Sequence, residues 1–427
     1  MAASERTSKK DSIVTIAIAI VLIIAGFWLA YQFVEPAPPT DLTISTGSKE
    51  GAYYANALKY KELLAKQGIT LNIQTSAGST ENLQRLIANE TDLALVQGGL
   101  TAADTKLQSL GSLYYEPTWI FHQKDQPLNK LTDLAGKKVA IGPEGSGTRS
   151  LANLLLADNQ LLKNTTILDS AGSTAADQLL AKEIDAAFFI GPAESPVIQR
   201  LLREPSIELI SLQRADAYHR LHPFLSKITL PEGIIDLKTN IPNTQKVLLA
   251  PTANLLMHPN FHPALSVLVL QAIQQVHKQS GIFAAANQFP NSNNVTAPIY
   301  DVADRFYKKG PPFLMRYLPF WTAILIDRFI VMLIPLLALL IPLFKVLPPL
   351  YRWRISSRIY RWYESLHEVD DNIHGKELTE EQRLNFHQEL SRIENEVNKV
   401  KTPLSYAEKV YHLLAHINLV RKKLNKA

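Results

Sequence analysis

The chain has no cysteine, and that absence removes disulfides, thiolate chemistry and lipid attachment to a cysteine together. It also lacks a Gly-x-Ser-x-Gly elbow, a His-Glu-x-x-His pair and a phosphate-loop lysine behind a glycine-rich turn. These gaps argue against an enzyme, and no catalytic residue or cofactor is expected. No metal site is expected either. His258 and His262 bracket Pro259 in a loop, and His412 and His416 stand one helical turn apart without a third ligand nearby. Charge of one sign is scarce as well: 44 Lys and Arg stand against 39 Asp and Glu. The excess is local, since Arg352, Arg354, Arg358 and Arg361 follow an apolar run. That placement reads as a basic collar beside a membrane, so no nucleic-acid partner is expected.

What is present is a repeat. Ser-Ala-Gly-Ser-Thr occurs at 76–80 and again at 170–174, each time after a strand-like run and before a helical stretch. The sequel repeats too, as Ala-Asn-Glu-Thr-Asp-Leu-Ala-Leu-Val-Gln-Gly at 88–98 and Ala-Lys-Glu-Ile-Asp-Ala-Ala-Phe-Phe-Ile-Gly at 181–191. Strand, small-residue turn and helix make half of a βαβ unit, which leaves backbone N–H groups exposed at the helix start. Two such mouths facing each other across a cleft would hold an anion.

With 427 residues, 46% of them apolar, the chain exceeds one ordinary domain, and part of the apolar content sits in two membrane-like runs. Residues 13–34 are long enough to span a bilayer, and a cleaved signal peptide is the alternative. Arg6, Lys9 and Lys10 precede this run and Glu35 with 36–39 follows it, which puts residues 1–12 in the cytoplasm. A second span is expected at 329–347, with Asp327 and Arg328 at the outer interface and Lys345 snorkelling inward. Residues 40–318 would then be extracytoplasmic, in the periplasm of a cell with an inner membrane, and both termini inside.

The exported part alternates strand and helix in a doubly wound pattern, whose ligands gather beyond the carboxyl ends of the strands. Lobe 1 is expected from 40–121 and 223–318, and lobe 2 from 122–222, with the chain returning between about His222 and Met257. Past the second span, residues 351–427 form a helical tail. Phe386, Leu390, Ile393, Val397 and Val400 on one helix face Val410, Leu413, Ile417, Val420 and Leu424 on the next, giving a hairpin that pairs with itself or docks a cytoplasmic partner.

Four segments in order carry a resemblance: Thr46-Gly47-Ser48 with Gly51-Ala52-Tyr53-Tyr54; Gly78-Ser79-Thr80-Glu81-Asn82-Leu83; Asp92-Leu93-Ala94 with Gln97; and Gly142-Pro-Glu-Gly-Ser-Gly-Thr-Arg149. Over residues 40–290 the chain resembles the TAXI solute receptors of the tripartite ATP-independent periplasmic (TRAP) transporters. The resemblance implies an α/β, two-lobed periplasmic-binding-protein fold of type II, here flanked by two transmembrane helices and ending in the α-helical hairpin. It implies closure on a small anionic solute, glutamate-like or another carboxylate, and delivery to a separate TRAP-type permease. The chain departs from the usual pattern at Lys49 and Glu50, at Ala55-Asn56, at Gly98, and in its second membrane run and tail.

A carboxylate in the cleft would take the amides of the turns, including Gly47, Ser48, Thr80, Gly147 and Ser173. It would also take the hydroxyls of Thr46, Ser79, Ser146 and Thr148. Arg149 either adds a bidentate contact or pairs with a neighbouring surface acid. One of Tyr53 and Tyr54 belongs to the core and the other to the wall of the site. Asn82 and Gln97 either orient the ligand or satisfy a turn and a strand end. The alternative function on the same fold is a ligand sensor or assembly scaffold that reports through the cytoplasmic hairpin.

Overall fold

The chain, as a computed structural model, is described at residues 17, 20–32, 35–100, 106–374, 378–399 and 406–425. It divides into two compact units, Ala37–Ile324 on the one hand and Met1–Pro36 with Leu325–Ala427 on the other.

The unit Ala37–Ile324 opens with β1 (Asp41–Ser45), α1 (Ala52–Ala65), β2 (Thr70–Gln74), α2 (Ser79–Ile87), β3 (Leu93–Gln97) and β4 (Gln108–Tyr115). After β5 (Thr118–Gln123) come β6 (Lys138–Ala140), α3 (Gly147–Asp158), β7 (Thr166–Leu168), α4 (Gly172–Leu180) and β8 (Ala186–Ile190). The chain continues through α5 (Pro196–Arg203), β9 (Ile207–Leu209), α6 (Ala215–Leu221), the hairpin β10 (Ser226–Leu230) and β11 (Lys246–Ala250), and β12 (Thr252–Met257). Three helices follow, α7 (Pro263–His277), α8 (Asp301–Lys309) and α9 (Phe313–Tyr317).

Two five-stranded sheets result, in the orders β2-β1-β3-β12-β4 and β7-β6-β8-β5-β9. In each, three parallel strands are followed by an antiparallel one, β12 against β3 and β5 against β8. The orders correspond position by position, so the sequence repeat is a repeat of architecture, and each sheet takes as its fourth strand the one that has just crossed over. This is the two-lobed periplasmic-binding-protein fold.

The repeat extends to its small parts. Asn89 and Lys182 both adopt left-handed backbone just past their helices, with φ of 57° and 61°. Asp92 accepts from the Thr43 amide at 2.7 Å, and Asp185 accepts from the Lys138 amide at 2.8 Å. Each aspartate thus staples the start of its own strand to the neighbouring parallel strand. α1 turns one face inward, burying Tyr53, Ala57, Tyr60 and Leu64, spaced by four and three. β3 is buried along its whole length between two partners, which is why it reads as an unbroken apolar run until Gln97.

The lobes are joined at Glu116-Pro117 and at Pro251, and the Glu116 amide bonds the Pro251 carbonyl at 2.9 Å. Residues 223–250, expected in lobe 1, pack with lobe 2 instead: Ile228, Leu230, Leu248 and Ala250 share a core with Trp119, Phe121 and Phe189. The reason is pairing, because β10 and β11 form an antiparallel hairpin whose apolar face needs a sheet to cover. Ile282 and Phe283 also lie against that core, so the segment after α7 touches lobe 2 before Asn291 bridges back to Ser112 of lobe 1.

Of the expected first span, 17 and 20–32 fall within the described residues, and Ile20–Tyr31 is an apolar helix. Residues 1–12, with Arg6, Lys9 and Lys10, lie outside them. α10 (Phe320–Ile373) is one helix of 54 residues, apolar and long enough to cross a membrane. It begins before Asp327-Arg328, the pair expected at the outer interface, and Phe320 and Ile324 are buried in the lobe 1 core. The side chains of Arg354 and Arg358 fall outside the described part.

The tail contains the expected hairpin, α11 (Glu380–Lys399) with α12 (Ala407–Leu424), but not as a pair alone. Ile359, Leu366, Val369 and Ile373 of α10 complete a core with Leu390, Ile393, Val397, Leu413, Ile417, Val420 and Leu424. Three helices share the seam because two supply too little apolar surface to close it. Thr379 caps α11 reciprocally with Gln382, at 3.1 and 3.3 Å. Lys423 pairs with Asp370, and Arg421 with Glu394, across the bundle. Val400 and Pro403 lie outside the described residues.

Candidate functional site

Four turns line the space between the sheets, each at the carboxyl end of a parallel strand and each leading into a helix N-terminus. Lobe 1 supplies 46–51 after β1 and 75–78 after β2; lobe 2 supplies 141–146 after β6 and 169–171 after β7. They meet crosswise. The amides of Thr80 and Glu81 donate to the Gly145 carbonyl at 3.1 and 3.4 Å, and the hydroxyls of Thr80 and Ser150 are 3.1 Å apart. A Cβ on Gly78 would stand 3.1 Å from Ser146 Cα, and one on Gly172 would stand 3.5 Å from Glu50 Oε2. The two Ser-Ala-Gly-Ser-Thr turns therefore do not face each other. Two equivalent lobes placed face to face set like turns on a diagonal, so the first turn of each meets the second turn of the other.

The lobes approach tightly at this contact. Gly147 is buried, and a Cβ there would fall 2.0 Å from Gln97 Oε1 and 3.0 Å from Ser79 Oγ. Only hydrogen at that position lets α3 come so near to the end of β3. The Gly145 carbonyl lies where an anion at the start of α2 would lie, and the positive end of that helix favours any such acceptor.

The other expected ligand groups are placed as follows. Thr46 is buried and its hydroxyl donates to the Gln74 carbonyl at 3.1 Å. Ser146 caps α3, accepting from the Arg149 amide at 3.2 Å and donating to the Pro143 carbonyl at 2.7 Å. Asn82 is fully buried: its Oδ1 accepts from Ser45 and Ser76 at 2.7 and 2.6 Å, and its Nδ2 donates to the Leu95 carbonyl at 2.7 Å. Arg149 bonds the Gly142 carbonyl at 3.0 Å and pairs with the Asp169 carboxylate. Gly47 is buried with open space where a Cβ would be. Tyr54 and Thr148 are half-buried, and Ser48 and Ser173 are exposed. The structure thus gathers Ser79, Thr80, Gln97, Ser146 and Gly147 at one contact and commits Asn82 and Arg149 to protein partners. His258 and His262 turn to backbone, accepting from the Asn260 amide at 3.3 Å and the Ala264 amide at 3.2 Å.

Sequence reasoning passed over Glu116. It sits where the chain first crosses between lobes and is only 5% exposed. Its Oε2 accepts from the Tyr53 hydroxyl at 3.0 Å, that hydroxyl lies 3.2 Å from Ser79 Oγ, and Ser79 Oγ accepts from the Gln97 amide at 3.0 Å. A line of polar groups therefore runs from the crossing to the lobe contact. Burial pushes the Glu116 carboxyl up to about 8, opposed in part by the Tyr53 hydrogen bond. Burial, and then Glu116 itself, hold the Tyr53 hydroxyl well above its ordinary range. The available signal was a single acid between Tyr114-Tyr115 and Pro117-Thr118-Trp119, inside an otherwise uncharged stretch from 107 to 121.

The model of the NMT1-like family matches residues 44–258. The chain belongs to the NMT1-like family. The match begins within β1 and ends one residue past β12, so all four turns, both crossings and Glu116 lie inside it. Among solved structures this family member is similar to a protein from Bordetella bronchiseptica RB50, at 19% identity and TM-score 0.41, covering 65% of this chain and 83% of that one. It is also similar to the periplasmic aliphatic sulphonate binding protein SsuA from Escherichia coli, at 16% identity and TM-score 0.37, covering 56% and 75%. The amino acid ABC transporter substrate-binding protein AbpA from Streptococcus pneumoniae, bound to L-arginine, is similar at 16% identity and TM-score 0.34, covering 56% and 89%. The family assignment of this chain rests on the family match, and its fold on the sheet topology.

Proposed function

We propose that this NMT1-like family member is a membrane-anchored, extracytoplasmic receptor that closes its two lobes around a small carboxylated solute, an amino acid or organic acid, and delivers it to a TRAP-type permease. One observation carries the reading. The α2 start of lobe 1 and the α3 start of lobe 2 meet at a glycine-lined contact, where a backbone carbonyl already takes the α2 amides. A carbonyl is a neutral acceptor; a carboxylate in its place gains charge-assisted hydrogen bonds of about 1.5–3 kcal/mol each. Opening at the two crossings frees the Thr80 and Glu81 amides, and closure on a solute lets them bond it instead of Gly145. Ser79, Thr80, Gln97, Ser146 and Gly147 meet at this contact, and we assign Thr46, Gly47, Ser48, Tyr53, Tyr54, Thr148 and Ser173 to the remainder of the site. Three or four such bonds, less the cost of association, correspond to micromolar affinity, near 8 kcal/mol.

The anchoring is supported by α10, and Ile20–Tyr31 contributes a second apolar helix. The test is thermal unfolding of the full chain in detergent micelles with a panel of amino acids and organic acids. A bound solute at about 100 times its Kd adds about 2.7 kcal/mol; no shift with any anionic solute overturns the reading. A ligand sensor is favoured by one further feature, the three-helix bundle with a closed core of its own.

A further inference from the structure

We propose that Glu116 is the subsite for a cationic group of the solute, so that the receptor selects a zwitterionic α-amino acid over a simple carboxylate. The inference rests on the solute-receptor reading and deepens it. Glu116 stands at the first crossing, hydrogen-bonded to the second, and is tied through Tyr53 and Ser79 to the contact where Gly147 of lobe 2 arrives. The α2 amides lie at the other end of the same short line. A ligand carrying an anion and a cation on adjacent carbons would span it, with its carboxylate at the helix start and its ammonium at Glu116.

The surroundings of Glu116 suit this use. Tyr53 of α1 and Tyr114 of β4 face it, both with hydroxyls held neutral by burial, and Ser79 of α2 lies beyond Tyr53. Among the described residues Glu116 makes no ion pair. A buried carboxyl without a cation is costly to ionise and keeps its proton near neutral pH, consistent with the rise to about 8. A bound ammonium reverses that balance, so binding ionises the carboxyl and sends its proton to the solvent.

The experiment is isothermal titration of the full chain in detergent at about neutral pH, in buffers of different ionisation enthalpy. The probes are the L-amino acids and their deaminated carboxylates. The expected result is an amino acid that binds with release of close to one proton and at least about tenfold more tightly than its deaminated twin. E116Q should lower the preference for that amino acid over its deaminated twin by about tenfold or more and abolish the proton release, while E116D recovers part of the loss. Because Gln is close in shape to a protonated carboxyl, unliganded E116Q should melt no lower than the native chain, which separates recognition from folding. If a carboxylate without an amine binds equally well and E116Q changes nothing, the Glu116 assignment falls and the receptor reading stands. If no anionic solute binds, both fall.

Discussion

At the scale of single residues, burial decides which polar groups serve the fold. Asn82 has each end of its carboxamide bonded inside lobe 1. Asn82→Leu strands the Ser45 hydroxyl and removes a donor from the Leu95 carbonyl, while Ser76 keeps the Thr46 and Gly78 carbonyls, so it should cost about 2–4 kcal/mol in chemical denaturation. Two titrating groups set the pH range. Glu116 has its folded pKa raised from 4.5 to about 8, so the native state holds the extra proton in that window. Its contribution is complete below about 4.5 and is lost as pH rises towards 8. His277, half-buried, hydrogen-bonded to Tyr60 and stacked on Tyr114 at 5.2 Å, has its pKa lowered from 6.5 to about 3 by desolvation and then by the Lys59 charge. Its contribution is complete above about 6.5 and is lost as pH falls towards 3. Melting temperature against pH should therefore be highest between about 4.5 and 6.5, where the two opposed slopes cancel, and E116Q should flatten the alkaline side alone.

Among elements, the staples at the head of β3 and β8 offer the plainest test of the repeat. Asp92 and Asp185 each hold the backbone of the adjacent parallel strand. Asp92→Ala and Asp185→Ala should each cost about 2 kcal/mol, and because they act in separate sheets the double variant should lose close to the sum. Such equivalence was legible in the sequence, since both acids occupy the same place in the repeated segment. The assignment of β10 and β11 was not. Nothing in 223–250 states which core its apolar face will cover, and hairpin pairing settles that only once both sheets exist. The α11–α12 seam was legible by its spacing, whereas α10 as third helix was masked by its reading as span and collar. Ile417→Asp should unfold this bundle, measured as lost helical circular dichroism, and leave any solute-induced thermal shift in place if the bundle is not needed for binding.

For the molecule as a whole, motion between the lobes is the property on which the proposed function depends. Gly147→Ala puts a methyl group where Gln97 and Ser79 now lie, and it should bias the lobes apart. The absence of cysteine makes this directly measurable. Spin labels on the exposed pair K66C and K163C, one in each lobe, should report a longer mean distance in the Gly147→Ala background, and added solute should shorten it less than in the native chain. An unchanged distance would mean that this contact does not govern closure.

Local pattern alone determined the α/β class, the duplicated strand–turn–helix unit, the glycine turns, the apolar runs and the tail hairpin, because each depends on neighbours within a few turns of the chain. Tertiary structure decided what distant segments do to one another. It set like turns on a diagonal, spent the Asn82 and Arg149 side chains on the protein itself, moved 223–250 to the second lobe and buried Glu116 beside Tyr53. Those outcomes follow from desolvation and pairing between residues far apart in sequence, and such energies exist only after the sheets have formed.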